Sequence, residues 1–188
     1  MLRQFFRHWE LSIFKDDAHD RCPQEFGWGL ENLGDIELED TGCGLPKMAA
    51  ALCAASENFY RTEGITGVAF DGTRLTFDSP LPSSDVEVQR ASARLFESPG
   101  AEGRAIVVIP HWNADEGSMV QACKILNRFG LSALRMTLPY HEERRPGRMV
   151  RADAMVSPVL GLTLQSMRRA VVEVRLAVQW LRHRGYRY

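Results

Sequence analysis

The chain lacks a charge of one sign, paired cysteines, long apolar runs and a glycine-rich phosphate loop, and each absence narrows what it can be. Its 23 Lys and Arg almost balance its 24 Asp and Glu, leaving a formal net charge of −1 over 188 residues. No overall excess points to nucleic acid or to an anionic membrane surface, and neither is expected as a partner. The cysteines Cys22, Cys43, Cys53 and Cys123 form no C-x-x-C pair and fit no zinc-ligand spacing. Reduced thiols, and with them a cytoplasmic location, are the expectation. No apolar stretch approaches the roughly 18 residues of a membrane span. The opening Met-Leu-Arg-Gln-Phe-Phe-Arg-His-Trp-Glu has no unbroken apolar segment of the signal-peptide kind.

What is present is an order of elements. Residues 1–62 read as an N-terminal extension: a short helix within Leu2 to Phe14, a Gly- and Pro-rich loop over 22–47, then a helix from Lys47 to Thr62 that covers a sheet through Phe59 and Tyr60. Residues 63–188 read as the main domain. Gly67–Phe70 and Thr73–Phe77 flank Asp71-Gly72, a hairpin signal. Val86–Phe96 reads as one longer strand. Ala105–Ile109 is an apolar run that predicts a strand buried on both faces. A helix follows to about Phe129, with Asp115 or Ser118 as its cap and a stripe of Met119, Ala122, Cys123, Leu126 and Phe129. Gly130 is its expected terminator.

A second buried strand is expected over Leu131–Leu138. The charged segment 140–153 reads as a solvated loop. A long helix from about Leu162 is expected to bury Met167, Ala170, Val171, Val174, Ala177, Val178 and Leu181, and to turn Arg168, Glu173, Arg175 and Arg182 to water. The arginines of 144–151 read likewise as solvated. An antiparallel start followed by β-α-β-α predicts an α/β fold with a mixed sheet.

Two loops hold the residues that invite a chemical reading. Pro110-His111-Trp112-Asn113 and Pro139-Tyr140-His141-Glu142 leave the carboxyl ends of the two apolar strands. In open α/β sheets that edge is where ligands bind. Both loops are too bulky to cradle a pyrophosphate, so no dinucleotide cofactor is expected. His111, Asp115, His141 and Glu142 lack metal-site spacing, and no metal is expected.

This order of elements and these loops, over about Val86 to Tyr188, resemble the N-terminal half of an α/β-hydrolase of the dienelactone-hydrolase or esterase kind. The resemblance implies an ester-type hydrolase fold. It also implies an oxyanion-hole donor in the backbone of Trp112 or Asn113, with His111, Tyr140 and His141 along the substrate pocket. The sequence contains no G-x-S-x-G, the nucleophile elbow of that superfamily, in which the acid and the catalytic histidine follow the nucleophile. The expectation is an N-terminal portion or truncated homologue, inactive by itself and taking small ester-like substrates only in full-length relatives. The alternative expectation is a non-catalytic interaction protein. Its Ala105–Ile109 strand would form a sheet edge that pairs with a partner chain or a second copy.

Overall fold

The computed structural model describes residues 2–16, 25–33, 45–99 and 103–187. Cys22 and Cys43, and much of the Gly- and Pro-rich loop, lie outside them. The fold is of the α/β class. Five strands, β1 (Ala69–Phe70), β2 (Arg74–Asp78), β3 (Arg90–Phe96), β4 (Ala105–Val108) and β5 (Ser132–Thr137), form one mixed sheet in the order β1-β2-β3-β5-β4. The first pairings are antiparallel, and β4 and β5 run parallel. Helices α1 (Leu2–Asp16), α2 (Leu45–Ala54) and α3 (Ser56–Phe59) precede the sheet. Helix α4 (Val120–Arg128) connects β4 to β5, and α5 (Leu160–His183) follows. Among the described residues no helix is long and apolar enough to cross a membrane.

The hairpin forms where the Asp-Gly signal puts it. The Asp71 carboxylate accepts from the backbone N–H groups of Thr73 and Arg74, at 2.8 and 2.7 Å, and fixes the turn before β2. The strand expected over Val86–Phe96 begins later. Val86–Val88 is instead a 3₁₀ turn, which sinks Val88 into a small second core with Tyr140, Ala152 and Ala154. The ladder starts only at Arg90.

The largest departure concerns the two apolar strands. β5 is buried along its whole length, whereas β4, expected to be buried on both faces, lies at the sheet edge with Ile106 half-exposed. β5 lies between β3 and β4, while β4 has a full-length neighbour only in β5. Along the other side of β4 the chain returns briefly. Arg187 pairs in parallel with Arg104, donating to the Gly103 carbonyl and accepting from Ala105 N–H at 3.0 Å.

The main core joins Leu75, Phe77, Leu95, Leu134 and Met136 of the sheet to Val172, Leu176, Trp180 and Leu181 of α5. α5 therefore packs through a stripe rotated from the expected one. Met167 and Val171 are exposed, and Glu173 and Arg168 are buried rather than facing water. Arg144 is the counterpart of that shift. It was expected in a solvated loop, yet it is fully buried and forms a bidentate pair with Glu173, at 2.6 and 2.7 Å. A buried carboxylate requires such a partner, because an isolated charge in the interior is too costly.

α4 also departs from expectation. Of its stripe only Cys123 is buried, and Phe129 stands in solvent. Gly130 ends the helix with φ of 69°, a left-handed conformation that suits glycine. Asp115 does not cap the helix. It closes the preceding turn, accepting from Gly117 N–H, Ser118 N–H and the Ser118 hydroxyl.

Two parts of the N-terminal extension rest on α5, and Tyr60 also packs against the main core, as expected of a covering residue. Gly27 pairs with Val159 at the start of α5, and a Cβ at Gly161 would collide with the Gly29 carbonyl. Further along, Arg168 donates to Phe59 O at 2.6 Å and Arg175 to Tyr60 O at 2.9 Å.

Candidate functional site

Backbone strain collects at the carboxyl ends of β4 and β5. Among the described residues the non-glycine positions with positive φ are Asn113 (58°), Met119 (63°), Tyr140 (62°) and Glu142 (51°), and all four lie beyond β4 or β5 before the next long element. Such conformations are uncommon for Met, Tyr and Glu, and they persist only where the surroundings hold them.

The surroundings here are polar bolts. Asn113 N–H donates to His141 Nε2 at 2.8 Å, and Asn113 Oδ1 accepts from Ala152 N–H. Trp112 Nε1–H donates to Ala152 O at 3.1 Å, and the Arg151 guanidinium lies over the Trp112 ring. Arg135 of β5 gathers the rest. It donates to Ser118 O and Asp115 O, each at 2.6 Å, and to the Glu142 carboxylate at 2.6 Å.

His141 is buried, and its tautomer follows from its partners. Pro139 O can only accept, so Nδ1 carries the proton and donates to it at 2.8 Å. Nε2 is then the bare acceptor for Asn113 N–H. Burial pushes the imidazole below its ordinary value, against a smaller upward pull from the Pro139 hydrogen bond. A proton on Nε2 would face a second donor, so the neutral form is the one this geometry holds.

The expected site residues thus have different situations. His141 and Asn113 are joined to each other. The Asn113 N–H is engaged by the imidazole, whereas the Trp112 backbone N–H has no protein acceptor among the described residues. His111 is exposed, and its carbonyl accepts from Ala114 N–H. Tyr140 turns away to the second core, where it lines a separate polar cavity; burial pushes its phenol up. Of the four groups weighed for a metal, His111 stands exposed and the other three are divided among these bonds. Asp115 holds its own turn, Glu142 pairs with Arg135, and His141 holds Asn113. Among the described residues no group of three His, Cys, Asp or Glu is placed to hold a metal ion.

Beside Trp112 an apolar cavity of about 420 Å³ opens between the strand ends and α5, walled by Ile109, Leu138, Met155, Met167 and Val171. That volume falls in the range of small-molecule pockets. Met167, Ala170, Val171 and Val174 of the helix stripe expected to be core are therefore cavity wall.

Of the residues that hold the loops, the sequence points to Arg144 and Glu173 as solvated and gives Arg135 and Ala152 no role. One signal for Glu173 was present, since it shares the helical stripe of Val172, Leu176 and Trp180. A charge inside such a stripe marks a buried pair. No protein-family model and no curated protein matches the chain.

Proposed function

We propose that the chain is an α/β-hydrolase-like protein of the ester-cleaving type, in which the loop leaving β4 presents the Trp112 backbone N–H to an oxyanion. The single observation that carries this reading is the contrast between neighbouring amides. Asn113 N–H is engaged by His141, while Trp112 N–H is unengaged and held in place next to an apolar cavity. An amide positioned before the reaction, where charge develops on a carbonyl oxygen, is worth about 3 kcal/mol of transition-state stabilisation. The mixed sheet, antiparallel first and then parallel, and the placement of the loop at the carboxyl strand ends support the same reading.

The sequence encodes no nucleophile elbow, so this chain by itself does not turn esters over. Both halves are testable on the ¹⁵N-labelled protein. Titration with an aryl phosphonate monoester, an anionic mimic of the tetrahedral intermediate, is expected to shift the Trp112 amide saturably. An unmoved Trp112 resonance would remove the oxyanion role. Hydrolysis of 4-nitrophenyl acetate is expected to stay at a background that Trp112→Ala leaves unchanged. Rapid saturable turnover would reveal a nucleophile elsewhere in the chain.

A second reading, an interaction protein that pairs through the sheet edge, draws on β4. Its outer side carries a single parallel bridge, Arg104 with Arg187, and beyond it Ile106 and Ile109 are exposed. An unpaired row of this kind favours strand addition. Sedimentation that shifts to larger species between micromolar and hundred-micromolar protein supports this reading, and a constant monomer opposes it.

A further inference from the structure

A second cavity, of about 480 Å³, lies apart from Trp112, between the N-terminal half of α5, the segment before β3 and the loop after β5. Its polar walls are mostly engaged among themselves. Asp85 pairs with Arg148 at 2.5 Å. Arg169 donates to Ser79 Oγ, Val88 O and Pro82 O. The Ser166 hydroxyl sits between Ala154 O and Leu162 O. The Tyr140 phenol lies beside Ser83 and Asp85.

Gln165 is the exception. It lines the cavity, is only 6% exposed, and neither its Nε2 nor its Oε1 has a hydrogen-bond partner among the described residues. Buried side-chain amides are otherwise almost always satisfied, so an idle donor and an idle acceptor side by side call for a complement.

The geometry points to this cavity as a binding site for a small uncharged ring that carries an amide edge, a carboxamide or a cyclic imide. Such an edge offers one acceptor to Gln165 Nε2 and one donor to Gln165 Oε1. A carboxylate satisfies only the first and opposes the second. The ionic lining is balanced, Glu31 and Asp85 against Arg148 and Arg169, and Arg148 is engaged by Asp85 and Arg169 by backbone carbonyls and Ser79, so no excess of positive charge favours an anion. The ring has apolar walls in Pro82, Met149 and Leu162.

The test uses the full ¹⁵N-labelled chain, with nicotinamide and uracil as probes and nicotinate as the charged control. Saturable shifts of the Gln165 side-chain amide are expected with both probes, with nicotinate at least tenfold weaker than nicotinamide. Gln165→Leu is expected to weaken nicotinamide at least tenfold. Met149→Trp, a loop substitution that fills the cavity, is expected to abolish binding even if Gln165→Leu does not fold. No saturable shift with either probe would mean a pocket of ordered water only. Binding unaffected by both variants, or nicotinate as tight as nicotinamide, would equally overturn the assignment.

Discussion

β4 and β5 are hydrogen-bonded in parallel register, Ala105 opposite Ser132 through Val108 opposite Arg135, yet they behave as opposites. β4 reads Ala-Ile-Val-Val and is half open. β5 reads Ser-Ala-Leu-Arg-Met-Thr and is wholly buried. The more apolar strand is thus the less sealed one. Burial here follows position in the sheet rather than hydropathy. β5 lies between two strands with helices to cover it, and its arginine is tolerated because three loop acceptors neutralise and orient it.

The contrast predicts a ranking of substitutions. The largest effect belongs to the ionic clamp that fastens the loop after β5 to α5. Glu173→Ala leaves Arg144 buried without its counter-charge and is expected to cost about 3–5 kcal/mol of stability, read by urea denaturation. A loss under about 1 kcal/mol would mean that water reaches Arg144. Next comes the direct comparison of the strands. Leu134→Ala, in fully buried β5, is expected to cost about 2–5 kcal/mol. Ile106→Ala, on a residue 39% exposed, is expected to cost about 1 kcal/mol or less. Equal losses would show that the outer side of β4 is covered in solution.

A smaller effect is expected from acid. The folded state holds His141 neutral with its pKa lowered, while the unfolded chain takes up a proton near the ordinary value of 6.5. The stabilising contribution is therefore complete above that value and is lost as the pH falls below it towards the folded-state pKa. Thermal unfolding between pH 7.5 and 5 is expected to show this fall, and His141→Gln is expected to reduce the slope. A variant as acid-sensitive as the parent would assign the slope to other groups. The smallest effect on stability is expected from Ile106→Lys. It should leave the melting temperature within about 2 °C, because surface changes are usually within about 0.5 kcal/mol, while suppressing any self-association through the edge.

Much of the fold was legible because it rests on local chemistry. Asp71-Gly72 marks its turn, Gly130 ends its helix with positive φ, and the β-α-β order of residues 105–137 needs nothing distant. The exposure of Ile106 was not legible in the same way, since it depends on which strand lies alongside, a long-range fact. The rotation of α5 was hidden for a related reason. Its packed face mixes Gln165, Arg169 and Glu173 with Val172 and Leu176, and the partners that let Glu173 and Arg169 be buried, Arg144 for the one and Ser79, Pro82 and Val88 for the other, arrive from distant segments. At the candidate site the two loops were legible from their position after apolar strands. The distinction between Trp112 and Asn113 was not, because it turns on where His141 places one lone pair.

The Arg135 guanidinium has a consequence for the timing of local opening. One cation holds carbonyls at 115 and 118 and the carboxylate at 142, so neither strand-end loop can swing out without breaking the tether of the other. Amide protons in the two segments should therefore exchange with deuterium at matched rates, as one cooperative unit, although a whole helix and strand separate them along the chain.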